Sequence, residues 1–362
     1  MKEIAAIVLA AGEGTRMKSS SLPKVLHPIC WKPMIGYILE TLHSIGIDRI
    51  VVVTGYKAEL VKKFLGTNNT DIKTVKQKSL SGTADAVNCT RRLFKKFKGD
   101  LLILYGDMPL ITTDCLESLI RRHQTMNAYC TLLTAMVKNP MGFGRIVRDE
   151  KGRILRIVEE QDASLYEKVI EEINVGAYCF DAHALFEALK KVKPHNIKSE
   201  YYLTDAISLM SGSGLRIEAI STNNLDEAFG VSSRKDLIKA QEIIRKRTLN
   251  KLIDGGVTIV DPNTTYIDDR VEVNQDTVIH PFTIIEGQVR IGSRCSVGPF
   301  CRIKGKTQIA DDVELSNFVH IVNSNIRKGA IILNHIFLNN ASVPVRSVIE
   351  GSPAKICSTA KS

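Results

Sequence analysis

In the first half of the chain, short apolar runs alternate with stretches whose apolar residues recur at helical spacing. Ile4 to Val8 is an apolar run of a length that suits one buried strand. Pro33 to Ile45 carries apolar residues three and four apart and stops at Gly46, which predicts a helix. Ile50–Thr54 predicts a strand, Ala58–Leu65 a helix, and a further short strand closes at Val75. Gly82 to Phe97 predicts one long helix with a very basic far end, and Leu101–Tyr105, LLILY, another buried strand. Alternation of this kind predicts an α/β fold with a mostly parallel sheet covered on both faces. Beyond Ala128 the pattern changes to strands at Cys130–Val137, Gly144–Val147 and Arg153–Glu160 with charged turns between them. Ser233 to Leu252 reads as a basic amphipathic helix joining two domains, with Gly255–Gly256 at the boundary.

The second half follows a different period. Aliphatic residues recur at every sixth position: Ile267, Val273, Ile279, Ile285, Ile291, Val297, Ile303, Ile309, Leu315 and Ile321. Four residues after each of the first nine stands a small or β-branched residue, among them Thr277, Thr283, Cys295 and Cys301. An ordinary helix or sheet has no reason for a period of six. The hexapeptide repeat specifies a parallel β-helix that buries the aliphatics inside its coils. After Ile321 the register slips to Ile326, then continues at Ile332 and Leu338.

Composition narrows the picture. The 362 residues suit two domains, and 44% hydrophobic with 24% charged residues is ordinary for a globular protein. The formal charge of +10 admits nucleic acid, an anionic membrane surface or phosphorylated small substrates as partners. The basic runs Arg91–Lys98, Lys190–Lys193 and Arg245–Lys251 lack interleaved aromatics and read as solvated helix faces, so neither nucleic acid nor a membrane is an expected partner. No apolar stretch is long enough to span a bilayer. The apolar N-terminal run resembles a signal peptide, but Gly12 to Met17 already forms a charged loop where a cleavage pattern would stand. Eight scattered cysteines form no CxxC pair and the histidines show no HExxH spacing, which argues against zinc and for a reducing cytoplasm.

The chemistry concentrates at Leu9 to Lys24, LAAGEGTRMKSSSLPK. Gly12 and Gly14 open the backbone so that successive N–H groups can face one anion. Arg16 adds a forked cation suited to phosphate, and Lys24 a movable point charge. The alternatives are a plain surface turn and a dinucleotide loop, but Met17 occupies the third glycine position of the latter. Asp107, after an apolar strand in YGDMP, is a natural magnesium ligand or else a turn cap. Gln77 and Gly82–Thr83 can read a base edge. Ligands of such sheets bind outside the carboxyl ends of the strands, so these groups are expected to converge. In GFGR, Gly142 and Gly144 signal a close approach, while Glu159 and Asn174 lie near strand ends where they could bond sugar hydroxyls. Ser199–Asp205, SEYYLTD, with Tyr202 and Thr204, precedes an apolar helix and is a further candidate lining.

Taken together, LAAGEGTRM, LPKVLH, Gln77 with GTADA, LYGDMPL, GFGRIVR, IVEEQDA, EINVGAY and SEYYLTDA resemble the bifunctional bacterial family of N-acetylglucosamine-1-phosphate uridylyltransferases/glucosamine-1-phosphate acetyltransferases over nearly the whole chain. The resemblance implies a Rossmann-like nucleotidyltransferase domain at 1–230, a linker helix at 231–254 and a shortened left-handed parallel β-helix at 255–362. It implies synthesis of UDP-N-acetylglucosamine from UTP and N-acetylglucosamine 1-phosphate for cell-envelope precursors. By resemblance Leu9, Ala10, Ala11, Gly12, Gln77, Gly82 and Thr83 hold the nucleotide, and Arg16 and Lys24 bind phosphates. Tyr105 and Asp107 lie at the reacting centre with Mg2+ on Asp107, while Gly144, Glu159 and Asn174 hold the amino sugar. The family's second metal ligand is an Asn in GVN, where this chain has Ser232 in Gly230-Val231-Ser232. His335 in LNHIF matches the acetyl-transfer base, and Lys304 stands where an Arg binds the sugar phosphate. Val322 replaces a Lys, Phe337 is nearest to a missing Tyr, and most later coils are absent, so acetyl transfer is expected to be lost. The tail VRSVIEGSPAKI resembles that of a shorter hexapeptide acyltransferase. A homotrimer packed through the β-helix is implied as well. Three other readings stay open: transfer to another sugar phosphate, a non-catalytic scaffold, and an acyltransferase with a vestigial front domain.

Overall fold

The computed structural model describes residues 2–68, 72–194 and 196–351. The chain divides into two compact units, Met1–Ala240 and Gln241–Ser362, and the division falls inside the helix expected to join the domains.

In the first unit, β1 (Ile4–Ala10) is followed by a small hairpin of β2 (Pro28–Ile29) and β3 (Lys32–Pro33), then α1 (Met34–Ser44), β4 (Ile50–Thr54) and α2 (Ala58–Asn68). β5 (Lys73–Lys76), α3 (Thr83–Asn88), β6 (Asp100–Tyr105), α4 (Thr113–Thr125) and β7 (Cys130–Met136) continue the alternation. Then come β8 (Gly144–Arg148), β9 (Ile154–Val158), the short α5 (Leu165–Lys168), β10 (Glu172–Asp181), α6 (Ala182–Leu189), α7 (Leu203–Gly212) and β11 (Ile217–Thr222). The strands order as β11-β7-β10-β6-β1-β4-β5, with β8 and β9 hung from β10. β1 pairs in parallel with both β4 and β6, and β4 with β5, as the apolar runs predict. β10 runs antiparallel to both β6 and β7, so the sheet is mixed beyond β6. β1 is buried along nearly all its length because side chains from both its faces enter apolar layers.

One element differs from its sequence reading. The long helix expected over Gly82 to Phe97 is α-helical only at Thr83–Asn88. From there N–H groups bond carbonyls three residues back, at Thr90 to Val87, Leu93 to Thr90 and Phe94 to Arg91. This tighter winding turns Phe94 and Phe97 into the core while Arg92, Lys95, Lys96 and Lys98 stay exposed. The basic run is therefore solvated as expected, but not on a helix.

The second unit begins in α8 (Arg234–Asp254) and continues as a left-handed parallel β-helix. One sheet stacks Ile259, Ile279, Val297, Leu315, Ile332 and Ile349. The other faces stack Ile267, Ile285, Ile303, Ile321 and Leu338, and Val273, Ile291, Ile309, Ile326 and Val343. The residues four positions after the aliphatics are buried too, Cys295 and Cys301 among them, so both thiols are packing groups. Each fully buried Ile or Leu contributes roughly 1.5–3 kcal/mol. Ile303 pairs with Ile321, eighteen residues on, whereas Ile321 pairs with Leu338, seventeen on; the slip at Ile326 is thus the loss of one residue from one corner of a coil. At another corner Phe282, Phe300, Phe318 and His335 share a left-handed backbone, φ 57–61°, and stack in a ladder with centroids 4.9–5.0 Å apart.

Candidate active site

The carboxyl ends of β1, β5 and β6 open onto one cavity of about 310 Å³. Leu9, Ala10, Ala11, Gly12 and Lys24 line it from the first loop, Gln77, Gly82 and Thr83 from the segment after β5, and Tyr105 and Asp107 from β6. These residues converge because parallel neighbours end together: Leu9 lies beside both Val53 and Tyr105 in register. Gly14 at φ 65° lets the loop fold back, and Lys24 packs directly beneath it. The Lys24 ammonium donates to the Asp107 carboxylate. Arg16 does not join this lining; it is exposed on the turn of Thr15–Met17.

Gln77 spends its amide hydrogens on Gly82 O, 3.0 Å, and Asp85 Oδ2, 2.8 Å. That fixes the amide and leaves its carbonyl oxygen as an acceptor at the cavity wall. The segment Glu200–Thr204 passes against Gly82–Thr83: Ala84 N donates to Tyr201 O, 2.8 Å, and Leu203 N donates to Thr83 Oγ1, 2.9 Å. A Cβ on Gly82 would come 2.5 Å from Tyr201 O, so this approach requires glycine.

From Tyr105 a chain of polar contacts leads to the residues expected to hold a sugar. Tyr178 and Thr83 neighbour the Tyr105 hydroxyl, and burial drives its pKa upward. Asn174 Nδ2 donates to Tyr178 OH, 2.7 Å. Asn174 pairs with Gly144 across β10 and β8, where a Cβ on Gly144 would lie 3.4 Å from Glu159 Oε2. Thr204 Oγ1 donates to Glu159 Oε1, 3.1 Å. Burial, opposed by this hydrogen bond, raises the Glu159 carboxyl above the usual range, with Asp162 and Asp205 adding to the rise. Glu159, Tyr202 and Thr204 also line a neighbouring cavity of about 560 Å³ with Lys191 and Lys193.

Val231 N donates to Asp107 O, 2.9 Å, which sets Ser232 next in the chain to the residue bonded to Asp107. Ser232 N itself donates to Asp236 Oδ2, 3.1 Å. Among the described residues no cluster of three or more His, Cys, Asp or Glu could hold a metal by itself. One carboxylate and one hydroxyl fit Mg2+, which binds through one or two protein oxygens with substrate phosphates and water completing its octahedron.

The sequence singles out none of Tyr178, Asp85 and Arg145, whereas Glu200, which lines the cavity, falls within the SEYYLTD stretch. None of those three carries a local signal, because each acts through contacts across the sheet or across the loop; only the glycine-bounded GFGR pointed near Arg145. In the second unit His335 is exposed and its ring lies on Phe318. Phe337 packs instead against His320, 5.0 Å between centroids. Lys304 pairs with Val322 in the coil above it. Part of the tail VRSVIEGSPAKI and Cys357 lie outside the described residues.

Comparison with known proteins agrees with this geometry. The nucleotidyl transferase family model matches residues 5–241, and the bacterial transferase hexapeptide model, six repeats, matches residues 270–305. The chain is 44% identical over 285 residues to the bifunctional protein GlmU of Pelotomaculum thermopropionicum, and 44% identical over 283 residues to that of Geobacillus sp. strain WCH70. Each match covers 78% of this chain and 61% of the relative, so the chain matches less than two thirds of the length of these relatives. A crystal structure of UDP-glucose pyrophosphorylase complexed with UDP-glucose superposes with a TM-score of 0.57 at 21% identity, covering 68% of this chain and all of that one, which shows a shared fold. No helix among the described residues is long and apolar enough to cross a membrane. With a family model that matches residues 5–241, more than half of its length, the chain belongs to the nucleotidyl transferase family.

Proposed function

We propose that the first unit is a uridylyltransferase that makes UDP-N-acetylglucosamine and pyrophosphate from UTP and N-acetylglucosamine 1-phosphate. The observation that carries this reading is a run of neighbouring polar groups, part of it lining the cavity and part of it buried behind. It runs from the glycine loop, Lys24 and Asp107, through Thr83, Tyr105 and Tyr178, to Asn174, Gly144 and Glu159. A nucleotide triphosphate at one end and an amino-sugar phosphate at the other would meet near Tyr105 and Asp107. The 44% identical relatives support the same substrates.

A phosphate oxygen of the sugar attacks the α-phosphorus of UTP, a new P–O bond forms, and the bond to the pyrophosphate breaks in line with it. The nucleophile is already anionic, so no general base is needed. The chain's task is positioning and charge neutralisation. Loop N–H groups and Lys24 face the triphosphate, with Arg16 available from the exposed turn. Gln77, held by Gly82 and Asp85, offers a fixed acceptor to the imide N–H of uracil. Glu159 and Asn174 accept and donate to sugar hydroxyls and the acetamido group. Asp107 and Ser232 would hold Mg2+, which offsets charge building up on the phosphates.

We propose further that acetyl transfer has been lost. Val322 supplies no cation beside Lys304, and the His335 ring is part of the aromatic ladder. The flat faces of the β-helix are the surfaces on which three copies would pack; light scattering tests that.

One assay separates the readings. The protein receives UTP, Mg2+ and N-acetylglucosamine 1-phosphate, with glucose 1-phosphate in competition, and pyrophosphate and both UDP-sugars are measured. Glucosamine 1-phosphate and acetyl-CoA are supplied separately and CoA release is followed. UDP-N-acetylglucosamine as the main product with no CoA release supports the proposal. No pyrophosphate from any nucleotide overturns it in favour of a scaffold.

A further inference from the structure

Arg145 is among the largest side chains that are fully buried, 1% exposed, and no step of the reaction above uses it. Its register explains the burial. Gly144 and Arg145 are successive strand residues, so their side chains leave opposite faces of β8. Gly144 faces Glu159 and Asn174, while Arg145 points beneath them. There Nη1 donates to Phe143 O, and Nη2 to Glu160 Oε2, 2.7 Å, and to Lys168 O, 3.3 Å. Glu160 Oε2 also accepts from Gly142 N, 3.1 Å. One guanidinium thus joins the GFG turn, the residue after Glu159 and the last residue of α5. Its Nε is buried without a partner, a cost that an apolar side chain would avoid. A planar five-donor group is the side chain that can reach two carbonyls and a carboxylate at once.

We propose that Arg145 is a positioning residue for the sugar phosphate: it fixes Gly144 and Glu159 against each other from below, and so sets the floor on which the sugar ring lies. This rests on the uridylyl-transfer reading. Arg145 and Glu160 lie on the far side of that floor, and neither lines the cavity at the glycine loop. The expected signature is therefore confined to one substrate. Arg145→Met raises KM for N-acetylglucosamine 1-phosphate ~10-fold or more, the scale of a sub-ångström misplacement, and leaves KM for UTP nearly unchanged. Arg145→Lys keeps the charge pair but drops at least one carbonyl bond, and falls between wild type and Arg145→Met.

Steady-state kinetics with each substrate varied in turn, beside thermal denaturation, test this. Should Arg145→Met fail to fold, Glu160→Gln decides, since its side chain is 28% exposed and the substitution keeps the shape. A selective rise in KM for the sugar phosphate in Glu160→Gln and partial rescue by Arg145→Lys support the proposal. A lowered melting temperature with both KM values unmoved, or moved equally, overturns it while uridylyl transfer by the wild type stands. A wild type that transfers to no sugar phosphate overturns the proposed function and this inference with it.

Discussion

Gly14→Ala is the sharpest perturbation of the phosphate loop. At φ 65° an alanine there costs about 1–2 kcal/mol of backbone strain. The added Cβ would also lie 2.6 Å from Cβ of Lys24. Carbon atoms rest comfortably at about 3.5–4.0 Å, so the loop and Lys24 must part by roughly 1 Å. A shift of that size in a positioned charge is expected to cost about 100-fold in turnover, or ~2.7 kcal/mol of barrier. Gly46→Ala separates the two effects. It shares a left-handed backbone, φ 76°, but a Cβ there meets nothing within 4 Å. It should lose comparable stability and keep its activity. Pyrophosphate release and thermal denaturation of both variants are the assay. Near-wild-type turnover in a folded Gly14→Ala would refute the claim that Lys24 acts from a fixed place beneath the loop.

Three further outcomes are expected. Lys24→Ala and Asp107→Ala should each lower turnover at least ~100-fold, as for removal of one preorganised charge partner, and purified variants with normal rates would sink the phosphate-site assignment. Ser232→Asn should lower the Mg2+ concentration needed for half-maximal rate, because an amide carbonyl is a better ligand than a hydroxyl; an unchanged Mg2+ titration would remove Ser232 from the metal's surroundings. Burial raises the Glu159 carboxyl, so as pH falls it protonates earlier than an ordinary glutamate and KM for the sugar phosphate should climb on the acidic limb. The raised folded-state pKa also means that its contribution to stability is lost as pH rises through it, so Glu159→Gln should be stabilised at neutral pH relative to wild type and not in acid.

The fold was legible wherever one residue type had one place to go. Interior aliphatics of a β-helix must recur with each turn of the coil, so the period of six named the architecture and even the slip at Ile326. Strand ends on one edge of a parallel sheet must face the same ligand, so Leu9–Gly12, Gln77 and Asp107 could be brought together from their positions alone. Arg16 shows the limit: its spacing in the loop says nothing about which way a turn between two left-handed residues, Gly14 and Lys18, will carry the side chain. The helix over Gly82–Phe97 was read too long because tertiary burial of Phe94 and Phe97 overrides local periodicity. Tyr178 and Arg145 are illegible because folding alone brings them to their neighbours: Arg145 reaches Glu160 and the end of α5, and β10 bulges between Asn174 and Tyr178 at Gly176 to bring the tyrosine to Tyr105.

The unequal coil lengths in the second unit have a consequence for how such a chain can change. Ile309 pairs with Ile326 and Ile326 with Val343, each seventeen residues on, and every interior position stays filled. The omitted residue comes from the same bend each time, between Ile321 and Ile326 and again between Leu338 and Val343. That bend is a place where a codon can be gained or lost without moving any rung above or below it. The bend between Ile259 and Ile267 is longer by two residues than the one between Ile279 and Ile285 in the next coil, yet Ile259 still pairs with Ile279 and Ile267 with Ile285, so drift in chain length, and any new loop that grows from it, is channelled to the edges of the solenoid and spares its rungs.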